Sequence, residues 1–205
     1  MKKTKKNFTL VELLCAVALV VILAGIGFSA YSYASHRGKE AATRSLITRL
    51  EAGLETLKTK HGFFPATGSG TAKKFARIEV EMNDSGIITE VKFISDTQTT
   101  VINKAKQLKD FLSIVDAESL KKNLVKNGTG DEYDVVDAWG GKIYYAYPGF
   151  FNTAKYDIVA PGADGNFTTD TTKDVTSPPN NNTDTNYKNT AGEWACDDIA
   201  NFDKL

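Results

Sequence analysis

KKTKKNFTLVELLCAVALVVILAGIGFSAYSYA, residues 2–34, decides how this chain folds. Lys2, Lys3, Lys5 and Lys6 precede a run from Phe8 to Ala34 that is apolar or small almost throughout, with one carboxylate, Glu12, near its start. The run is long enough to cross a bilayer as a helix. The lysines ahead of it place the N-terminus on the cytoplasmic side. A charge inside a membrane helix is costly unless something pairs with it. Glu12 therefore calls for a partner, and the segment suggests assembly as well as anchoring. A secretory signal peptide shares the basic-then-apolar start, and Ser32-Tyr33-Ala34 resembles a cleavage site. The apolar run exceeds an ordinary signal h-region, however, and a carboxylate within it is unhelpful. A plain membrane anchor is the other alternative.

The helical pattern continues beyond Ser35 but becomes one-sided. Ala42, Leu46, Leu50, Leu54 and Leu57 recur at spacings of three and four, and Ile47 widens the stripe. Lys39, Glu40, Arg44, Arg49, Glu51, Glu55 and Lys58 cover the other sides. Gly62 and then Pro65 end the pattern. A continuous helix from Phe8 to His61 is on the order of 80 Å long at 1.5 Å per residue. Gly25 and Gly27 lower helix propensity midway; they either allow a bend or close helix contact or are tolerated in an apolar environment.

The rest of the chain reads as α+β. Arg77–Glu81 and Ile87–Ile94 are expected strands around the turn Asn83-Asp84-Ser85-Gly86. Lys104–Leu112 and Ala117–Val125 are expected helices, the second N-capped by Asp116. Lys142–Tyr147 and Lys155–Val159 are expected strands. Trp139, Tyr144, Tyr145 and Tyr147 read as sheet packing, the usual role of alternating aromatics in a strand. Residues 166–192 are polar, with almost no apolar anchor, and are expected to form a flexible loop.

Composition excludes several functions. The chain has 25 basic and 25 acidic residues, so loss of the four leading lysines makes it mildly acidic. That argues against a nucleic-acid partner held by phosphate contacts. Cys15 in the apolar run and Cys196 near the C-terminus form neither a disulfide framework nor a metal-binding pattern. His36 and His61 are the only histidines and read as exposed polar residues. No nucleophile elbow and no P-loop is present, and no enzymatic activity is expected.

Asn7-Phe8-Thr9-Leu10-Val11-Glu12-Leu13-Leu14 resembles the processing site of type IV pilin-like proteins, whose pattern is G-F-T-L-[IV]-E-L. In that family a prepilin peptidase cuts before the Phe and methylates the new N-terminus. The resemblance implies cleavage between Asn7 and Phe8, methylation of Phe8, and a role for Glu12 in assembly. Asn7 stands where the family has glycine. Four further stretches resemble the major pseudopilin of type II secretion. His61-Gly62-Phe63-Phe64-Pro65-Ala66-Thr67 is similar to the signature ending its long helix. Asp137-Ala138-Trp139-Gly140-Gly141-Lys142-Ile143-Tyr144-Tyr145 is similar to its D-P-W-G-N-P-Y, and Lys155–Gly165 to its Y-D-L-x-S-x-G-A-D-G. Asp197-Asp198-Ile199-Ala200-Asn201-Phe202 is similar to its closing D-D-I-x-N-W.

The resemblance implies a pilin-like α+β fold, a long helix packed on a small antiparallel sheet. Residues 1–7 are then a cytoplasmic leader, 8–34 the transmembrane and assembly helix, 35–62 its amphipathic continuation, and 63–205 the globular domain. The hairpin near 77–94 and the loop at 166–192 stand as decorations outside the family signature. A type IV pilus pilin or minor pilin shares this N-terminus. The closing Asp-Asp-Ile-x-Asn, without a C-terminal disulfide pair, favours the secretion family. A secreted or membrane-anchored protein of other function is the remaining reading.

The family folds its last loops around calcium. The matching carboxylates are Asp164 and Asp198, and the matching carbonyls those of Pro161 and Ala163. Ala195 stands where the family has an acidic ligand, with Asp197 or Glu193 as substitutes. The alternative is that Asp164-Gly165 is only a turn, a common role for that dipeptide. The implied partners are further copies in a helical filament, other pseudopilins, inner-membrane secretion components, the prepilin peptidase and the membrane. The implied location is the inner membrane, single-pass, with the C-terminal domain in the periplasm.

Overall fold

The computed structural model describes residues 10–68, 73–96, 98–128, 130–167 and 199–201. Helix α1 runs Leu10–His61, with no proline to interrupt it. Gly62 ends it as expected. Its φ of 81° is left-handed, and its N–H donates to the Lys58 carbonyl at 2.9 Å, closing the helix as an αL cap. The chain divides into two compact units, Met1–Gly38 and Lys39–Leu205.

In the first unit every described side chain is exposed. Leu10, Leu19 and Phe28 are 74%, 61% and 77% exposed. The helix is apolar all round, the pattern of a segment surrounded by an apolar medium, and it is long and apolar enough to cross a membrane.

In the second unit α1 buries one face. Leu46, Ile47, Leu50, Leu54 and Leu57 lie in the core, as expected. Ala42 does not; it is exposed, and Thr43 takes its place on the buried face. The Thr43 hydroxyl accepts the Ala138 N–H at 3.1 Å, so a polar side chain is satisfied there. Helix α2, Ala105–Val115, buries Phe111 and Val115 against Gly53. A Cβ at Gly53 would stand 2.6 Å from Val115 Cγ2.

The described strands form one antiparallel sheet. They are β1 Ala76–Met82, β2 Ile88–Ile94, β3 Thr99–Ile102, β4 Leu124–Lys126, β5 Glu132–Val135, β6 Tyr144–Ala146, β7 Asp157–Ala160 and β8 Ile199–Ala200. The order is β3-β2-β1-β6-β7-β8, with β5 pairing the C-terminal half of β1 and β4 pairing β5. The hairpin near 77–94 is thus no decoration. β1 is the centre of the sheet, and Ile78, Val80, Val91 and Phe93 are core residues. Tyr145 is fully buried, its ring 4.9 Å from Phe93 and 5.9 Å from Tyr156. The aromatics of β6 pack the sheet, as their alternation suggested.

Three local expectations need correction. The second short helix, α3, ends at Lys121. Asn123 N–H donates to the Leu120 carbonyl, and Leu124–Lys126 turns out to pair with β5. Asp116 has φ 65° and makes no side-chain capping bond. It joins α2 to α3 by its backbone. Phe167, assigned to the flexible loop, is fully buried with Phe75, Phe150 and Val159, and its ring meets Tyr144 edge-on at 5.6 Å. Residues 168–192 lie outside the described residues.

Candidate functional site

Two regions carry the residues that the sequence singles out. The first is the N-terminal half of α1. Glu12 lies in its first turn and is exposed, among Leu10, Val11, Leu13 and Leu14, all at least 60% exposed. Asn7 and Phe8 lie outside the described residues. Cys15 is a free, exposed thiol.

The second region is the turn after β7. Pro161 is buried, whereas Ala163 and Asp164 are exposed. Gly162 and Gly165, with φ of 74° and 70°, frame the turn. Asp164 Oδ1 accepts the Asn166 N–H at 2.9 Å, the Asx geometry of an Asp-Gly turn. β8 returns alongside β7, with Ala160 opposite Ile199. Asp197 and Asp198, the residues just before β8, lie outside the described residues, as do Glu193 and Ala195. Among the described residues no group of three or more His, Cys, Asp or Glu is placed to hold a metal.

Buried polar side chains hold this end of the domain, a role that no sequence pattern marks. Asp137 Oδ1 accepts the N–H groups of Trp139 and Gly141 at 2.9 and 2.8 Å, and Oδ2 accepts Gly162 at 3.1 Å. One carboxylate thereby ties the 137–141 turn to the 162–165 turn. The two loops are so close that a Cβ at Gly141 would overlap the Pro161 ring. Asp157 does the same for the 150–152 segment, accepting Phe150, Phe151 and Asn152 at 2.5, 2.8 and 2.8 Å. Burial raises the pKa of both carboxyls, and the backbone N–H groups pull each part of the way back.

Asn201, from the closing motif, joins three elements. Its Oδ1 accepts the Ile158 N–H at 2.7 Å, and its amide donates to Glu51 Oε1 at 3.2 Å and to the Tyr156 carbonyl at 3.3 Å. Burial raises the Glu51 pKa, opposed by the Asn201 hydrogen bond and the Lys155 charge. One turn along, Glu55 accepts from Lys155 at 3.1 Å and from the Tyr156 hydroxyl at 3.3 Å.

His61 is not the exposed residue expected. Its side chain is 12% exposed and its Nε2 lies 3.0 Å from Asp110 Oδ2, while Lys60 meets Asp110 Oδ1 at 2.9 Å. The Lys60 ammonium, ahead of His61, holds the Asp110 carboxyl below its usual range. This cluster joins α1 to α2. His36 is exposed on the N-terminal half of α1.

No family model matches the chain, and no solved structure matches it.

Proposed function

We propose that this chain is a structural subunit of a type II secretion pseudopilus, which assembles through its N-terminal helix into a filament that drives protein export. The observation that carries this reading is the contrast within α1. Its N-terminal half exposes apolar residues on all sides around a single carboxylate, and its C-terminal half is built into a folded domain. The proposed processing releases Phe8 as the new N-terminus. Its ammonium, methylated but still charged, is then available to Glu12 of a neighbouring copy. In an apolar surrounding such a pair is strong, and either charge alone is costly. The ion pair fixes the axial register of one helix against the next. The domain rides on the outside, anchored in the inner membrane before assembly and facing the periplasm. Motive force comes from a separate cytoplasmic ATPase, and the chain itself performs no catalysis.

We further propose a calcium site at the turn after β7. The donors present are of the right kind for a hard cation, all oxygen: the Asp164 carboxylate and the carbonyls of Pro161 and Ala163. Asp198, with Asp197 as the additional acidic residue, completes the set. The described residue bonded to Asp198, Ile199, pairs with Ala160 one residue before Pro161. Bound there, calcium supplies a cross-link between the turn and the C-terminal segment.

The filament reading is tested by processing. Co-expression with a prepilin peptidase yields a chain whose mass and first residue correspond to N-methylated Phe8. A mature chain starting at Ser35 establishes a cleaved signal peptide and overturns the proposal.

A further inference from the structure

We propose that Phe28, Tyr31, Tyr33 and Arg37 form a collar at the level of the lipid headgroups, with the Arg37 guanidinium held against Tyr33 to bind a lipid phosphodiester. The inference rests on the membrane reading of α1 and adds to it a partner and a depth. Phe28, Tyr31 and Tyr33 are 77%, 73% and 65% exposed. They close the apolar run, and His36 and Arg37 follow within one turn. Aromatic rings with a polar tip are enriched where hydrocarbon meets water.

The arrangement favours lipid over a protein as the occupant. Tyr31 and Tyr33 are two residues apart, so they point about 200° apart around a helix of 3.6 residues per turn. Phe28 lies near Tyr31, three residues away, while Arg37 lies on the Tyr33 side, four residues away. No single docking surface covers both sides of one helix, whereas a bilayer interface surrounds it. Length agrees as well. From Leu10 to Phe28 the helix rises about 27 Å, close to the thickness of a hydrocarbon core.

Arg37 has the geometry of an anion contact. Its guanidinium carbon lies 5.5 Å from the centre of the Tyr33 ring, and its Nε donates to the Tyr33 hydroxyl at 3.2 Å. The stack restrains a long side chain, and the planar guanidinium suits the paired oxygens of a phosphodiester. A partner with negative charge spread over a surface also matches the neighbouring Lys39.

The test uses the full chain, labelled with carbon-13 at the arginine guanidinium and reconstituted in vesicles of phosphatidylcholine and phosphatidylglycerol. Solid-state NMR reads the dephasing of that carbon by lipid phosphorus. The expected result is a dephased arginine signal in the wild type that is lost in Arg37→Gln and weakened in Tyr33→Leu, with all three chains resisting alkaline extraction. A wild-type chain that stays in the membrane without any dephased arginine overturns the collar alone. A chain stripped from the vesicles by alkali overturns the membrane reading and the collar with it.

Discussion

The two halves of α1 share one secondary structure and differ in everything that stabilises it. From Leu10 to Gly38 the helix shows apolar side chains in all directions and buries none of those described. From Lys39 to His61 it sinks Leu46, Leu50, Leu54 and Leu57, none more than 1% exposed, into the core of a domain. Propensity alone holds neither half. The second is held by packing against β-strands and α2. The first needs an apolar medium, which a bilayer or a bundle of like helices supplies. Each half carries a glutamate that marks the difference: Glu12 among exposed leucines, and Glu51 hydrogen-bonded to Asn201.

The largest effect is expected at Glu12. Glu12→Ala removes a charge from the apolar half, so membrane integration persists or improves. On the proposed filament reading, assembly and export are lost, because the neighbour's N-terminal ammonium is left without its partner. Electron microscopy of sheared filaments, with alkaline extraction as the control, reads both. Normal filaments from this variant would remove Glu12 from any register-setting role.

Next comes a pair of identical truncations, one in each half. Leu54→Ala deletes a fully buried side chain and is expected to destabilise the domain by about 2–5 kcal/mol. Leu19→Ala, in a residue 61% exposed, is expected to change domain stability by no more than about 0.5 kcal/mol. Denaturant unfolding of the full chain in detergent, followed by the near-ultraviolet signal of the domain's aromatics, makes the comparison. Equal effects would mean that the two halves fold as one unit, and would break the contrast drawn here.

The same contrast explains what was legible in the sequence. The helix was plain, because a 3.6-residue stripe and a terminal glycine leave marks that need no tertiary context. The first hairpin was plain from Asn83–Gly86. β3, β5 and β8, of four, four and two residues, lack the adjacent tyrosines that mark the equally short β6. β4 was read as helix because Leu120 and Leu124 keep a four-residue spacing, and only the turn at Asn123 breaks it. The central place of β1 depends on strand order, which a sequence does not write down. At the candidate site, Asp164 was visible as half of an Asp-Gly turn. Asp137, Asp157 and Asn201 stand within recognised stretches, yet the two aspartates meet only backbone N–H groups of loops, which every sequence contains, and Asn201 meets Glu51 and the β7 segment, both distant in sequence. Thr43 was passed over in favour of Ala42 for the same reason, since its partner is the Ala138 N–H.

A third expected effect concerns calcium and the end of the domain away from sequence-legible helix. The fragment from Lys39 onward contains the main core and serves as the test object. If calcium binds the folded domain alone, stability rises by about 2.7 kcal/mol at a concentration a hundred times the dissociation constant. Asp164→Ala is expected to abolish this gain, since carbonyls cannot replace its charge. Thermal melts with calcium and with chelator measure it. A wild-type melting temperature that ignores millimolar calcium leaves Asp164-Gly165 as a turn held by the Asn166 N–H.

The smallest effect is expected at Glu51, the packed counterpart of Glu12. Burial raises its pKa in the folded chain, ahead of the Asn201 hydrogen bond and the Lys155 charge that oppose the rise. The folded state therefore binds the Glu51 proton more tightly than the unfolded state does. Its contribution to stability is complete at pH below the unfolded pKa and declines as pH rises through the higher, folded one. Glu51→Gln keeps an acceptor for Asn201 and has no proton to lose. Relative to wild type, the variant should gain stability as pH rises from the ordinary carboxylate range toward neutrality. The gain is at most about 1 kcal/mol, because water screens a half-buried carboxylate. Urea midpoints of both chains across that range give the difference directly. Parallel pH profiles would mean that Glu51 is as well hydrated folded as unfolded. The contact of α1 with Asn201 would then be open in solution, and the C-terminal strand would be held by its pairing with β7 alone.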